Sequence, residues 1–152
     1  MCSSDLPWFA PETHVQHLSD LMAPFGGIVP TIRAGLGEHS QTNYRPLEWL
    51  LLPDPWYKGR VILIGDAAHA TTPHMASGAG VAVEDGLVLA DELAKTDSVP
   101  AALRAFMDRR FARAKLVVET SVKSGEMEIA AVDRAQQTGV LAAATMALAQ
   151  PY

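Results

Sequence analysis

The 152-residue chain has a single cysteine, Cys2. That scarcity excludes an internal disulfide framework and any multi-cysteine zinc site. A basic excess is also missing: 12 Lys and Arg stand against 17 Asp and Glu, for a net charge of −5. Such a balance argues against a general nucleic-acid binder. No apolar run is long enough for a membrane span; residues 140–149 reach about half the required length. The first residues lack the charged start and apolar middle of a signal peptide. Internal repeats and low-complexity linkers are absent. What is abundant is apolar surface: 49% of residues are hydrophobic and only 19% charged, so a packed core is attainable and extensive disorder is not expected. The expectation is a soluble, cytoplasmic globular piece of ordinary domain size.

Residues 1–6, Met1-Cys2-Ser3-Ser4-Asp5-Leu6, share no hydrophobic period with the rest of the chain. Cys-Ser-Ser-Asp-Leu is also what TGC TCT TCC GAT CT would encode, which resembles the end of a sequencing adapter. These six residues are therefore read as non-native, and Cys2 is given no functional weight.

Apolar spacing predicts a short helix over residues 11–22, with Val15, Leu18, Leu21 and Met22 on one face and Pro24 and Gly26-Gly27 ending it. Residues 28–33 read as an edge strand because of Pro30. Residues 42–52 read as one or two strands kinked at Pro46. Pro53-Asp54-Pro55 is a break. Residues 60–64 form a β-branched run that reads as a buried central strand ending at Gly65. A helix is expected over 78–94, its acids Glu84, Asp85, Asp91 and Glu92 read as one wet stripe opposite Val81, Val88 and Leu89. Ser98 is a candidate N-cap for a long helix to about residue 128, which carries Arg104, Arg109, Arg110, Arg113 and Lys115. These bases read as a solvated face pairing with acids. The alanine-rich segment 130–149 reads as helical, with a break at Gly139.

The chemistry concentrates in Gly59-Arg60-Val61-Ile62-Leu63-Ile64-Gly65-Asp66-Ala67-Ala68-His69, with Pro73 and Ser77-Gly78-Ala79-Gly80 after it. A strand delivers a carboxylate at its C-terminal end, where open α/β sheets bind ligands. That carboxylate can accept hydrogen bonds from ribose or ribityl hydroxyls. Small residues at a helix start admit a ligand to the backbone, and free amides there favour negative charge. The pattern is that of a site for a polyhydroxylated, electron-accepting ligand.

This segment closely resembles the second flavin motif of the FAD-dependent aromatic hydroxylases, the single-component flavoprotein monooxygenases related to p-hydroxybenzoate hydroxylase and salicylate hydroxylase. The family pattern G-R-V-x-L-x-G-D-A-A-H is met at every fixed position. Likeness extends upstream to Asn43-Tyr44-Arg45-Pro46-Leu47-Glu48 and Pro55-Trp56, and downstream through Glu84-Asp85, Leu89-Ala90 and Arg109-Arg110.

The resemblance implies an α/β fold: a partial FAD/NAD(P)-binding fold with part of the substrate-domain sheet and C-terminal helices. Residues 7–58 would end the substrate-binding sheet region, 59–97 would carry the flavin motif, and 98–152 the C-terminal helices. Asp66 would bind the ribityl chain of FAD and Gly65 would let the ligand lie close. Pro73 would sit beside the flavin ring. The amides of Ala79 and Gly80, after Gly78, would meet its pyrimidine edge. Many members carry Asn where Gly80 stands, so that side-chain contact is absent here.

His74 lies in the same loop and is a candidate for contact with flavin or substrate. His69 is expected to pack or hydrogen-bond within the fold. A metal set of Asp66, His69 and His74 is disfavoured because the family needs none. His14 and His17, three apart on a helix, are read as an exposed face.

The family's pyrophosphate-binding G-x-G-x-x-G and its middle D-G motif do not occur here. The resemblance thus implies the C-terminal part of an FAD-dependent monooxygenase. The parent would consume NADH or NADPH and molecular oxygen and hydroxylate a small aromatic or related ring. It would use no nucleic acid and no membrane span, and a homodimer of the parent is compatible with the family. Two alternatives remain open: a flavin oxidoreductase of the same superfamily without oxygen insertion, and a short non-catalytic remnant acting as a binding module. The isolated chain is expected to leave apolar strand edges exposed and to be poorly soluble or partly unfolded.

Overall fold

The computed structural model describes residues 9–151; the foreign-looking start, with Cys2, lies outside the described residues. The chain divides into two units at residues 46 and 47.

In the first unit a 3-10 turn, Pro11–Thr13, leads into α1 (His14–Met22). A second helix, α2, covers Val29–Ala34, where an edge strand was expected. Pro30 decides the matter: it falls in the first turn of α2, where its fixed φ suits a helix and its missing N–H costs no bond. None of the residues of α1 or α2 is fully buried, and Leu18, Leu21, Ile28 and Ile32 are exposed. His14 and His17 are half-buried instead of exposed. Phe9 stacks on His17 with ring centroids 3.8 Å apart, and Tyr44 approaches Phe9 and His14 at 5.4 and 5.3 Å.

The second unit begins with an extended segment rather than the strands expected over residues 42–52. No strand lies beside it among the described residues. Leu50 and Leu52 donate their backbone N–H groups instead to Ala70 and Ala68 O, both at 2.9 Å. Two-residue strands come next, β1 (Tyr57–Lys58) and β2 (Val61–Ile62), paired antiparallel with Tyr57 opposite Ile62. Gly59, at φ +62, makes the turn between them. The run 60–64 is thus half of a hairpin and not a buried central strand: Val61 is 70% exposed, and Leu63 and Ile64 are also open. Apolar side chains thus stand exposed here.

The rest of the unit is helical: α3 (Asp66–His69), a 3-10 turn at Pro73–Met75, α4 (Gly78–Ala94), α5 (Val99–Ile129) and α6 (Arg134–Leu148). Mixed helix and strand agrees broadly with the α/β expectation, but among the described residues the sheet is only the two-stranded hairpin. Ser98 precedes α5 without a side-chain cap, and Pro100 lies in that helix's first turn. Asp133 does cap α6, accepting from the N–H of Ala135 at 2.9 Å. That bond outweighs the modest helix penalty of Gly139, and α6 runs through it unbroken. The core gathers Trp56, Ala68, Val81, Val88, Phe106, Met107, Ala114 and Val117 between α3, α4 and α5. Trp56 closes it, its indole N–H donating to Leu52 O at 3.0 Å.

Candidate functional site

The hairpin ends at Gly65, where the chain turns into α3. Gly65 has φ 59° and ψ −144°, a conformation open to glycine and costly for other residues. Space demands glycine too, since an added Cβ would lie 3.1 Å from the Cβ of Ala82 on α4. The next residue, Asp66, is exposed. Its carboxylate is engaged by none of the described residues.

The first turn of α4 stands next in the chain. Ser77 at its N-cap position does not cap; its hydroxyl donates to Met75 O at 2.9 Å. The leading amides of α4 are therefore left without the side-chain acceptor that usually satisfies one of them. Ala79 and Gly80 are exposed, and a Cβ on Gly80 would meet nothing within 4 Å. Gly78 is tight, since its Cβ would lie 3.0 Å from the Thr71 methyl. Pro73 is exposed on its 3-10 turn. Its neighbour His74 turns away from open space. Nδ1 of that ring lies 2.9 Å from Thr72 Oγ1, Nε2 lies 3.6 Å from Glu128, and the ring rests on Gly125 of α5.

Beneath this surface lies a charged network that the sequence did not reveal. Asp85 and Arg110 are both fully buried, which corrects the wet stripe at Asp85 and the solvated face at Arg110; Arg104 and Lys115 stay exposed, and the bases of α5 pair with acids as expected. Arg110 Nε donates to Asp85 Oδ1 and Nη1 to Glu84 Oε2, both at 2.8 Å, and Nη2 donates to Val81 O at 3.1 Å. Arg113 grips Glu84 with two bonds of 2.7 and 2.8 Å. Asp85 Oδ2 accepts the N–H of Gly65 at 2.9 Å and pairs with His69 Nε2 at 2.6 Å. His69 therefore hydrogen-bonds inside the fold, as expected. Glu92 is also buried and pairs with Arg109 and Lys95. The missed signal was helical spacing: 81, 85, 88 and 92 lie on one face, so two acids share it with two valines.

Burial pushes the Asp85 carboxyl upward, but hydrogen bonds from His69, Gly65 and Arg110 outweigh it and hold the group below the ordinary aspartate range. Glu84 is likewise held low, chiefly by Arg113 and with further help from Arg110, against burial.

The segment thus carries an exposed carboxylate with no partner among the described residues, glycines at 65, 78 and 80, and a helix start without a side-chain cap. A ligand that offers hydroxyls to Asp66 and acceptor atoms to the α4 amides fits it. Residues 49–121 match the family described as FAD binding domain. This segment is similar to an FAD binding domain. The chain is 44% identical over 90 residues to salicylate hydroxylase of Pseudomonas putida, covering 54% of this chain and 21% of that protein. It is 43% identical over 138 residues to aurachin C monooxygenase/isomerase of Stigmatella aurantiaca, covering 79% and 34%. It is 36% identical over 108 residues to 6-hydroxynicotinate 3-monooxygenase of Bordetella bronchiseptica, covering 68% and 27%. Among solved structures, an HpxO variant of Klebsiella pneumoniae complexed with FAD matches at a TM-score of 0.71 and 27% identity, over 90% of this chain and 37% of that one. The resemblance read from the sequence thus stands, with salicylate hydroxylase itself among the relatives. The chain spans roughly a fifth to a third of the length of these curated relatives. Both Asp66 and the start of α4 fall inside the FAD-binding-domain segment. Among the described residues no helix is long and apolar enough to cross a membrane.

Proposed function

We propose that this chain is one part of a cytoplasmic FAD-dependent monooxygenase that consumes NADH or NADPH and molecular oxygen and hydroxylates a small aromatic or related ring. The observation that carries the reading is the pairing of an exposed, unengaged Asp66 with the open, uncapped first turn of α4, both inside an FAD-binding-domain segment. Relatives named for hydroxylation of salicylate and hydroxynicotinate support the substrate class.

In this reading FAD, when bound, supplies the redox chemistry that activates oxygen. The protein positions it. Asp66 accepts hydrogen bonds from the ribityl hydroxyls. Gly65 lets the turn before Asp66 lie close against Ala82 of α4. The amides of Ala79 and Gly80, after Gly78, would donate to the pyrimidine edge of the ring, and the positive end of α4 would favour negative charge there. Pro73 borders the ring. His74, held by Thr72, Gly125 and Glu128, acts by fixing the Pro73 turn on α5.

Titrating the chain into FAD and following flavin fluorescence tests this. Asp66→Asn keeps the shape of the side chain and removes its charge. It is expected to raise the FAD dissociation constant about tenfold, the worth of one charge-assisted hydrogen bond. Equal affinities for wild type and Asp66→Asn would contradict the assignment.

A further inference from the structure

We propose that Asp85 is the positioning residue of the flavin turn, one buried carboxylate that holds both ends of the Gly65–His69 segment and thereby aims Asp66 at its ligand. The inference rests on the reading that Asp66 and the start of α4 hold flavin, and it adds what fixes them relative to each other.

The α3 helix is one turn long, Asp66–His69. A single turn is too short to hold its own conformation. The residue before it sits at a positive φ, so the conformation must be imposed from outside. Asp85 Oδ2 does this by meeting the N–H of Gly65 at one end and Nε2 of His69 at the other. Asp66 lies between the two grips. The carboxylate cannot swivel, because Oδ1 is taken by Arg110 Nε, whose other nitrogens are tied to Glu84 and to Val81 O. Gly65 also lies against Ala82. Asp85 and Ala82 sit on the same helix whose first turn offers its amides. One rigid element therefore sets both the carboxylate and the donor row, and their spacing is fixed by α4 rather than by the loop.

An ordinary buried ion pair would need only Arg110. The geometry here commits the second oxygen of Asp85 to the turn. Asp85→Asn preserves volume but leaves one oxygen to serve donors that now share two. The experiment uses the isotope-labelled 152-residue chain with three readouts: amide exchange at Gly65, the ring nitrogen shifts of His69, and FAD affinity by flavin fluorescence. Circular dichroism monitors folding. Asp85→Asn is expected to speed Gly65 exchange and shift the His69 nitrogens. It should raise the FAD dissociation constant about tenfold, in line with the loss of one hydrogen bond to a charged group. Unchanged Gly65 exchange and His69 shifts in folded Asp85→Asn would overturn the proposal.

If that variant fails to fold, His69→Gln and His69→Ala decide instead. His69→Gln keeps a side-chain N–H for Asp85 and should retain slower Gly65 exchange than His69→Ala. Equal loss in both would overturn the positioning role. Should wild type and Asp66→Asn take up FAD equally, the flavin reading fails by itself, while Gly65 exchange still judges Asp85.

Discussion

Gly65, Asp66 and Asp85 show how far single residues can be read. What the structure shows at Gly65 and Asp66 is local, a positive φ and then an exposed carboxylate one residue on, and local demands are the kind a sequence motif can carry. Asp85 was not legible, since its burial depends on Arg110, 25 residues away on another helix. An acid alone reads as solvated; its partner makes burial tolerable. His74 illustrates the same limit. Its place in the loop suggested contact with the ring, whereas its packing is set by the bare backbone of Gly125, far along α5. Ser121 and Ser124 are the opposite case, buried on α5 with hydroxyls that have no hydrogen-bond partner among the described residues. A buried hydroxyl without a partner has lost its water for nothing. Ser121→Ala is therefore expected to raise stability by about 1 kcal/mol, read as a higher urea midpoint at unchanged slope. A lowered midpoint would mean that the hydroxyl has a partner.

Among the elements, α4 was the clearest in sequence. Apolar spacing bounded it at Gly78 and Ala94, where the structure ends it. The segments 28–33 and 42–52 were misread as strands because local composition says nothing about whether a neighbouring strand exists. The joint between α4 and α5 is where stability should respond to pH. The carboxyls of Glu84 and Asp85 are held below their ordinary values of 4.5 and 3.8 by their partners. A folded-state value below the unfolded one stabilises the fold above the unfolded value, and that contribution is lost as pH falls through the folded value. The thermal midpoint should be level from neutrality to about pH 5 and drop once the pH falls below about 4.5, as protonation of Glu84 and then Asp85 begins to cost the folded state its ion pairs. A midpoint that rises on acidification would show that these pairs do not support the fold.

For the whole molecule, the sequence announced a flavin motif more plainly than it announced a fold. Strand, carboxylate and glycine-lined helix start are close in sequence, so their juxtaposition survives without knowledge of the rest. Long-range features did not come through: the division at residues 46 and 47 and the buried ion network. The exposed Val61, Leu63 and Ile64 on the hairpin side, with Val83 and Leu87 on α4, give the second unit an apolar surface of the kind that marks interaction sites. The first unit has a largely apolar groove of about 270 Å³ bordered by Phe9, His14, His17, Leu18 and Tyr44. Mapping amide shifts of the labelled chain during titration with FAD tests whether the Gly65–Gly80 region is the flavin surface. The account predicts that the largest changes fall on Gly65, Asp66, Gly78, Ala79 and Gly80, with residues 9–46 undisturbed. Changes confined to the groove around Phe9 and Tyr44, with Gly65 to Gly80 silent, would contradict it.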